Sequence, residues 1–179
     1  GKNVEAIRAH TEELEIRREL FGSNHPEVAK TMGNLANVFG VLGEREKNES
    51  LHRQALVILQ KSLHVAHPDV ITGMSRLATA VLWRDKAESE QLFRKVLEMR
   101  RKYLGENHPD VAWTLYDLAY LNAERGDFAE SEKLARSVLT MRGTALTDEH
   151  PVTGGSFLIL GRSLLAQGEI AQAKLALEE

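Results

Sequence analysis

Residues 104–112 read Leu104-Gly105-Glu106-Asn107-His108-Pro109-Asp110-Val111-Ala112, and the histidine-proline pair in this stretch recurs through the chain. All four prolines of the 179-residue sequence follow a histidine, at His25-Pro26, His67-Pro68, His108-Pro109 and His150-Pro151. Successive prolines are 42, 41 and 42 residues apart. Because a fixed period of about 20 to 50 residues indicates a repeat protein, the four copies can be aligned on their prolines.

Apolar residues follow each proline at increments of four, three, one and three, which mark one face of an α-helix. The first repeat gives Val28, Met32, Leu35, Ala36 and Phe39. We name this predicted helix A, and a second amphipathic segment, helix B, follows it in each repeat. In three repeats a glycine stands where helix A should end, at Gly43, Gly126 and Gly168. The second repeat has Asp85 there and one residue fewer in the turn, which explains the shorter interval.

The repeat boundaries follow from the same alignment. The expected segments are residues 1–24, which hold helix B of a preceding partial repeat, residues 25–66, 67–107 and 108–149, which are repeats one to three, and residues 150–179, a truncated fourth repeat. Nine helices are therefore predicted in one solenoid domain, with short loops that make consecutive helices antiparallel. Because the sequence starts and stops within a repeat, we expect it to be a piece of a longer array or protein.

The histidine-proline pairs are predicted to start the A helices. Proline suits the first helical position because its φ is near the helical value and its missing N–H would be unpaired there. The preceding residue is held out of the α region, as an N-cap residue is. A shared metal ion is not expected, because equivalent points on stacked helix pairs lie on the order of 10 Å apart whereas zinc ligands lie about 2 Å from the ion. His52, in a helix B, is expected to fill interhelical space.

Composition and charge narrow the function. The 23 Lys and Arg residues against 26 Asp and Glu residues give a net charge of −3, which disfavours binding to a phosphate backbone. No apolar run approaches the roughly 18 residues of a membrane span. Cysteine is absent, which fits a reducing compartment, so the cytoplasm is favoured while the compartment stays open. Without a nucleophile elbow, zinc-protease motif or phosphate loop, we expect neither an enzyme nor a cofactor.

The helix pairs resemble the tetratricopeptide repeat. The small residues at the predicted helix crossing are Ala36, Ala78, Ala119 and Gly161. The 42-residue length and residues 104–112 resemble the kinesin-light-chain type of this repeat. The resemblance implies an all-α, right-handed α-solenoid of stacked antiparallel helix pairs, whose A helices line a concave groove for peptides or partner proteins. In kinesin light chain this groove holds cargo peptides with a tryptophan beside acidic residues. One departure is that the alanine position of helix B holds Asn48, Ser89 and Ser131.

Candidate ligand-binding residues lie on the side of helix A that faces away from helix B. At about 100° per residue, Trp113, Tyr116 and Tyr120 point away from the apolar face, and aligned exposed aromatic side chains are typical of binding surfaces. The alternative is that some of them pack against helix A of the adjoining repeat. Equivalent and neighbouring positions in the other repeats are Lys30, Asn34, Asn37, Arg76, Thr79 and Arg162. By the family resemblance, Asn34 matches the asparagine that holds peptide backbone.

The leading hypothesis is a non-catalytic scaffold that binds a peptide or partner protein in the concave groove. The expected ligand is an extended segment with an apolar or aromatic residue near Tyr116 and acidic residues near Lys30, Arg76 or Arg162. The alternative is a structural or oligomerising spacer in a larger protein, such as a bacterial signalling or kinase-linked protein, whose ends associate. The apolar residues expected to be exposed at the two ends are Leu14, Ile16, Ala173 and Leu177. RNA binding is a third hypothesis, but the excess of acidic over basic residues disfavours it.

Overall fold

The computed structural model is all-α. It describes residues 1–141, 143–147 and 149–178, and within these ranges the chain forms nine helices, as the repeats predict. In chain order the helices are α1 (Lys2–Phe21), α2 (Pro26–Val41), α3 (Arg45–Ser62), α4 (Pro68–Val81), α5 (Lys86–Leu104), α6 (Pro109–Arg125), α7 (Phe128–Leu139), α8 (Pro151–Ala166) and α9 (Ile170–Glu178). The predicted A helices are α2, α4, α6 and α8, and the other five are the predicted B helices.

Each A helix begins at its proline, which confirms the predicted role of the histidine-proline pairs. The Nδ1 atom of each preceding histidine accepts a hydrogen bond from the backbone N–H two residues later. Asp85 serves a related purpose in the repeat that lacks the turn glycine. Its carboxylate accepts hydrogen bonds from the N–H groups of Ala87 and Glu88, at 3.0 and 2.9 Å, and so caps the start of α5.

The chain divides into two compact units, of which the first spans Gly1–Leu92. In this unit α1 packs against α2, α2 against α3, and α3 against α4, while α2 also contacts α4. The core side chains include Val28, Met32, Val70 and Met74, each at most 1% exposed. The expected stacking of helix pairs is therefore confirmed within the first unit.

The second unit spans Phe93–Glu179. Helix α6 packs against α7 and α8, α7 packs against α8, and α8 packs against α9. Its core cluster includes Ala119, Ile159, Leu160 and Ala173. Contacts between one A helix and the next, here α6 with α8, recur as in the first unit, so the same stacking holds in both.

Helix α7 is shorter than the sequence predicts. The helical spacing of Leu134, Val138 and Met141 predicts that helix B of this repeat reaches Met141. Helix α7 ends at Leu139, however, and Met141 lies buried in the turn that follows. The carbonyl oxygen of Met141 accepts a hydrogen bond of 3.1 Å from the backbone N–H of Leu146. Gly143 has a φ of 75° and occupies the position of Arg101 in the preceding helix B. Because glycine is a poor helix former and adopts this conformation readily, the chain turns here instead of continuing the helix.

The polar residues at the alanine position of helix B are all hydrogen-bonded. Each donates to the backbone carbonyl of the small residue at the crossing in its partner helix A. The pairs, each 2.8 Å long, are Asn48 with Ala36, Ser89 with Ala78, and Ser131 with Ala119. Because the buried donor is satisfied by the facing helix, this departure from the family pattern is compatible with close packing.

The apolar residues named for the two ends of the chain behave differently from the expectation. Leu14 and Ala173 are buried, at 6% and 0% exposed. They lie on helices that pack against α2 and α8, respectively, which leaves only the outer sides of α1 and α9 uncovered. Ile16 and Leu177 are 56% and 47% exposed, although Leu177 also packs against Gly161 of α8. The expectation of exposure is therefore wrong for Leu14 and Ala173.

Candidate functional site

A cavity of about 240 Å³ lies in the first unit between the A helices α2 and α4, above the B helix α3. Three of the residues predicted from sequence, Lys30, Asn34 and Arg76, line it. The remaining lining residues are Ala29, Gly33, His52, Ala55, Leu59, Asp69, Thr72 and Gly73. The structure thus brings together three of the five polar residues predicted in the first two repeats.

The helices beside the cavity lack a polar contact that two other helix pairs of the chain make. At equivalent positions of two other helix pairs, the Nη1 atom of an arginine donates a hydrogen bond of 2.8 Å to a threonine hydroxyl. These pairs are Arg17 with Thr31 and Arg100 with Thr114. Leu59 and Gly73 stand at these two positions beside the cavity. A methyl group on Gly73 would lie 3.1 Å from Leu59 Cδ1, so Leu59 packs closely against this glycine.

The two cations at the cavity differ in what they contact. Lys30 Nζ lies 3.0 Å from Glu27 and 3.2 Å from Asp69, and hydrogen bonds to these two carboxylates raise the pKa of Lys30. Arg76 has no hydrogen bond or ion pair to any residue that the structure describes. The Arg76 guanidinium is therefore the donor group that a ligand can engage without displacing an existing partner.

His52 forms part of the cavity wall and is only 4% exposed. Burial, and to a smaller extent the positive charge of Arg76, lowers the pKa of His52 to about 4. At neutral pH the ring is therefore uncharged, and Arg76 carries positive charge at this face of the cavity. The predicted space-filling role of His52 agrees with its burial.

Three other predicted residues lie outside this cavity. Asn37 and Thr79 are exposed on α2 and α4, and the Thr79 hydroxyl donates to the Ser75 carbonyl of its own helix at 3.3 Å. Arg162 on α8 forms an ion pair with Glu124 on α6, at 2.7 Å between Nη1 and Oε1. The charge of Arg162 is consequently already balanced within the second unit.

The predicted aromatic residues lie on α6 in the second unit. Trp113 and Tyr120 are 38% and 40% exposed. Tyr116 is half-buried, since its ring lies against Gly155 of α8, where a methyl group would be 2.7 Å from Cε2. Burial, with a further contribution from the charge of Asp117, raises the pKa of Tyr116. Two of the three rings are thus available to a ligand, while the third packs against the adjoining helix A.

Two features of the candidate sites are absent from the sequence prediction. The cavity itself is one, although the change from an Arg/Thr pair to Leu59 and Gly73 is visible when the repeats are aligned. The other is the burial of Asp117 on α6, which raises the pKa of its carboxyl to about 7 against the opposing effect of Arg100. A carboxylate on a predicted helix edge gives no such signal, because its burial depends on the neighbouring helices.

Within the described part of the chain, no helix is long and apolar enough to cross a membrane. The same residues contain no group of three His, Asp or Glu side chains arranged to hold a metal ion.

Comparison with known proteins agrees with this architecture. A tetratricopeptide repeat family model matches residues 1–61 and 69–144. A crystal structure of Podosopora anserina kinesin light chain nearly identical TPR-like repeats is similar, with 25% identity, a TM-score of 0.80, and coverage of 99% of this chain and 85% of that one. BtubC (BKLC) from P. vanneervenii has 20% identity and a TM-score of 0.85, with coverage of 99% and 71%. MamA shares the fold at 13% identity and a TM-score of 0.62, with coverage of 96% and 82%. Comparison with curated proteins gives no match.

Proposed function

This chain belongs to the tetratricopeptide repeat family, and we propose that it is a non-catalytic interaction module that binds a peptide or partner protein through the exposed surfaces of its A helices. The family is typically a protein–protein interaction scaffold. The similarity to kinesin-light-chain-like repeat structures supports the same class of function. Each of the two compact units has its own proposed ligand contacts.

The observation that carries the proposal is the unpartnered guanidinium of Arg76 at the cavity of the first unit. Lys30 and Asn34 line the same cavity, so cationic and amide donors converge on one space. A carboxylate from an Asp or Glu side chain of the ligand can accept hydrogen bonds from Arg76 and Asn34 there. Lys30 adds positive charge, although Glu27 and Asp69 hold it in place. The first unit is therefore proposed to bind an acidic residue of the ligand.

The aromatic surface of α6 supplies a second proposed contact area. Trp113 and Tyr120 expose large ring faces to solvent. Such side chains often account for much of the binding energy at protein interfaces, because they bury a large area at little cost in conformational entropy. Asn37, Thr79 and Arg162 are proposed as peripheral contacts, since none of them lines the cavity.

A peptide array probed with purified chain tests this function. Wild type is compared with Arg76→Gln, with the double variant Trp113→Ala/Tyr120→Ala, and with Lys61→Gln as a control. Lys61 is exposed on α3 outside the cavity, so its loss changes the net charge by the same amount as loss of Arg76. We expect Arg76→Gln to weaken binding of acidic peptides about tenfold, and Lys61→Gln to leave it unchanged. Wild type that binds no peptide, or equal binding by Arg76→Gln, would contradict the proposal.

A spacer that associates through its ends is the second candidate function. Apolar side chains are exposed at both ends of the chain, including Leu20 at 70%, Phe21 at 50%, Ile170 at 70% and Leu175 at 67%. Exposed apolar surface of this kind favours association. Light scattering over a range of protein concentrations separates the two candidates, because a spacer forms larger assemblies as concentration rises. A mass that stays monomeric throughout would exclude it.

A further inference from the structure

Four side chains of α6 form a continuous stripe on the helix surface, which we call the α6 stripe: Trp113, Tyr116, Asp117 and Tyr120. Their spacings of three and four residues place neighbours within side-chain contact on one helix face. Trp113 and Tyr120 are exposed, whereas Tyr116 and Asp117 are half-buried. One carboxyl group thus lies on the same side of the helix as three aromatic residues.

The rings of the α6 stripe are held in defined positions. Trp113 and Tyr116 meet edge to face, with ring centroids 6.0 Å apart and an interplanar angle of 89°. Trp113 also lies beside His150, at 5.8 Å between ring centroids. Gly155 leaves room for the Tyr116 ring against α8. The stripe therefore presents two perpendicular aromatic walls that form before any ligand binds.

Asp117 has unused capacity to accept hydrogen bonds. It makes no hydrogen bond or ion pair with any residue in the described part of the chain. Arg100 is the charge that acts on it, but Arg100 Nη1 donates to the Thr114 hydroxyl at 2.8 Å and to the Asp110 carbonyl at 3.0 Å. The Asp117 carboxyl is thus left without a donor among the described residues.

We propose that the α6 stripe binds the cationic side chain of a lysine or arginine in the peptide or partner protein, with the charged group at Asp117 and the aliphatic stem against Trp113 and Tyr120. This inference rests on the proposed function and replaces the apolar or aromatic ligand residue that the sequence suggests near Tyr116. Aromatic rings attract cations through their π faces, and long basic side chains readily pack their methylene groups on apolar surface.

Other ligand groups fit the α6 stripe less well. An apolar side chain would bury the Asp117 carboxyl without giving it a donor, which is costly. An ionised acidic side chain would bring the Asp117 carboxyl no donor and would be repelled by its ionised form. The nearby Arg162 does not oppose a cation, because Glu124 balances its charge at 2.7 Å. The first two repeats have Asn34 and Arg76 at the position of Asp117. The ligand residue proposed for the second unit is therefore basic, whereas the one proposed for the first unit is acidic.

The test uses three matched tripeptides: acetyl-Gly-Lys-Gly-amide, the same peptide with norleucine, and the same peptide with glutamate. Norleucine keeps the aliphatic stem of lysine and removes its charge. Trp113 is one of only two tryptophans, so Trp83→Phe leaves a single indole N–H signal to follow by NMR. We expect the lysine peptide to bind at least about fivefold more tightly than the norleucine peptide, with the glutamate peptide weakest.

Two variants in this background locate the charge preference. Asp117→Asn should reduce the lysine-to-norleucine ratio to about two, because the aromatic π faces remain. Glu106→Gln, which removes an equal charge from an exposed ion pair with Arg101, should leave the ratio unchanged. If Asp117→Asn proves unstable, Tyr120→Leu replaces it, since this change keeps apolar area but removes a π face and should at least halve the preference.

Equal binding of the lysine and norleucine peptides, or an unchanged ratio in Asp117→Asn, would overturn the inference. So would a lysine peptide that does not shift the Trp113 signal at all. Failure of the proposed function is a different result, in which wild type binds no peptide on the array. Array peptides that bind through Arg76 without any preference for a basic residue would leave the proposed function standing and remove only this inference.

Discussion

The guanidinium of Arg76 on α4 lies directly over the backbone of Gly33 on α2, so close that a methyl group on Gly33 would be 2.8 Å from Nη1. Gly33 is buried in the interior of its helix, where glycine is less stable than alanine. The absence of a side chain there lets the charged end of Arg76 approach the cavity wall. Gly33 is therefore unfavourable for the helix but allows Arg76 to occupy the position from which it is proposed to bind the ligand.

Gly33→Ala should separate stability from binding. We expect a free energy of unfolding higher by about 0.5–1 kcal/mol, because alanine favours the helix and the crowded neighbour is the flexible end of an arginine. Binding of acidic peptides should fall, since Arg76 must move. Urea denaturation and peptide titration measure the two effects. Gly154→Ala is the control, because a methyl group on this residue of α8 meets no atom within 4 Å and should leave peptide binding unchanged. Unchanged peptide affinity in Gly33→Ala would contradict the prediction.

The burial of His52 predicts a specific sensitivity to acid. The folded state protonates this ring only near pH 4, whereas the unfolded state does so near 6.5. Between these values the unfolded chain holds an extra proton, so the His52 contribution to stability is complete above pH 6.5 and declines as the pH falls towards 4. The decline between pH 7 and 4.5 should be about 2–3 kcal/mol.

His52→Phe tests this contribution, because Phe93 occupies the equivalent position of the next repeat. The variant should lose about 2–3 kcal/mol less stability than wild type between pH 7 and 4.5, measured by urea denaturation at each pH. Groups that titrate elsewhere affect both proteins equally and cancel in the comparison. Parallel stability curves for the two proteins would show that His52 takes up protons normally in the folded state.

The starts of the A helices could be predicted from sequence because their signals are local. A histidine-proline pair defines each of these starts through backbone geometry and a short-range cap, whatever the rest of the chain does. The length of α7 does not follow from the repeat pattern, because the pattern continues through Met141 whereas Gly143 favours a turn. Here the local effect of Gly143 outweighs the helix length that the repeat pattern predicts.

The candidate sites were predictable only in part. Register alone brought Lys30, Asn34 and Arg76 together, because equivalent positions of stacked helices face the same way. The cavity is lined instead by Leu59 and Gly73, which replace the arginine and threonine of other repeats. The burial of Asp117 depends on which helices cover it. Such properties belong to the packed structure rather than to any one segment.

Ser131 is predicted to contribute more to stability than its counterpart Ser89. Ser131 Oγ donates to the Ala119 carbonyl at 2.8 Å and accepts from Ser163 Oγ at 3.0 Å, and both serines are 0% exposed. Ser131→Ala should therefore cost about 1–3 kcal/mol, because it also leaves the Ser163 hydroxyl buried without its acceptor. Ser89→Ala removes one bond and should cost about 1 kcal/mol.

A double-mutant cycle of Ser131→Ala and Ser163→Ala measures this coupling by urea denaturation. The double variant should be less destabilised than the sum of the single variants, because removal of Ser163 eliminates the orphaned hydroxyl. Additive effects, or equal costs for Ser131→Ala and Ser89→Ala, would show that the contact between the two hydroxyls contributes nothing.

Gly161 on α8 is the one small crossing residue that is not alanine, and the packing of α9 explains why. A methyl group at Gly161 would lie 2.5 Å from Leu177 Cγ, so Leu177 occupies the space that alanine would fill. Gly161→Ala should destabilise the second unit by about 1–3 kcal/mol, despite the better helix propensity of alanine, because it overpacks this contact. Urea denaturation measures the loss, and hydrogen exchange should show reduced protection in α9. Adding Leu177→Ala should recover most of the stability by making room for the new methyl group. A double variant less stable than Gly161→Ala alone would contradict the prediction, because it would mean that the clash is relieved elsewhere and that the packing of Leu177 contributes more stability than the clash removes.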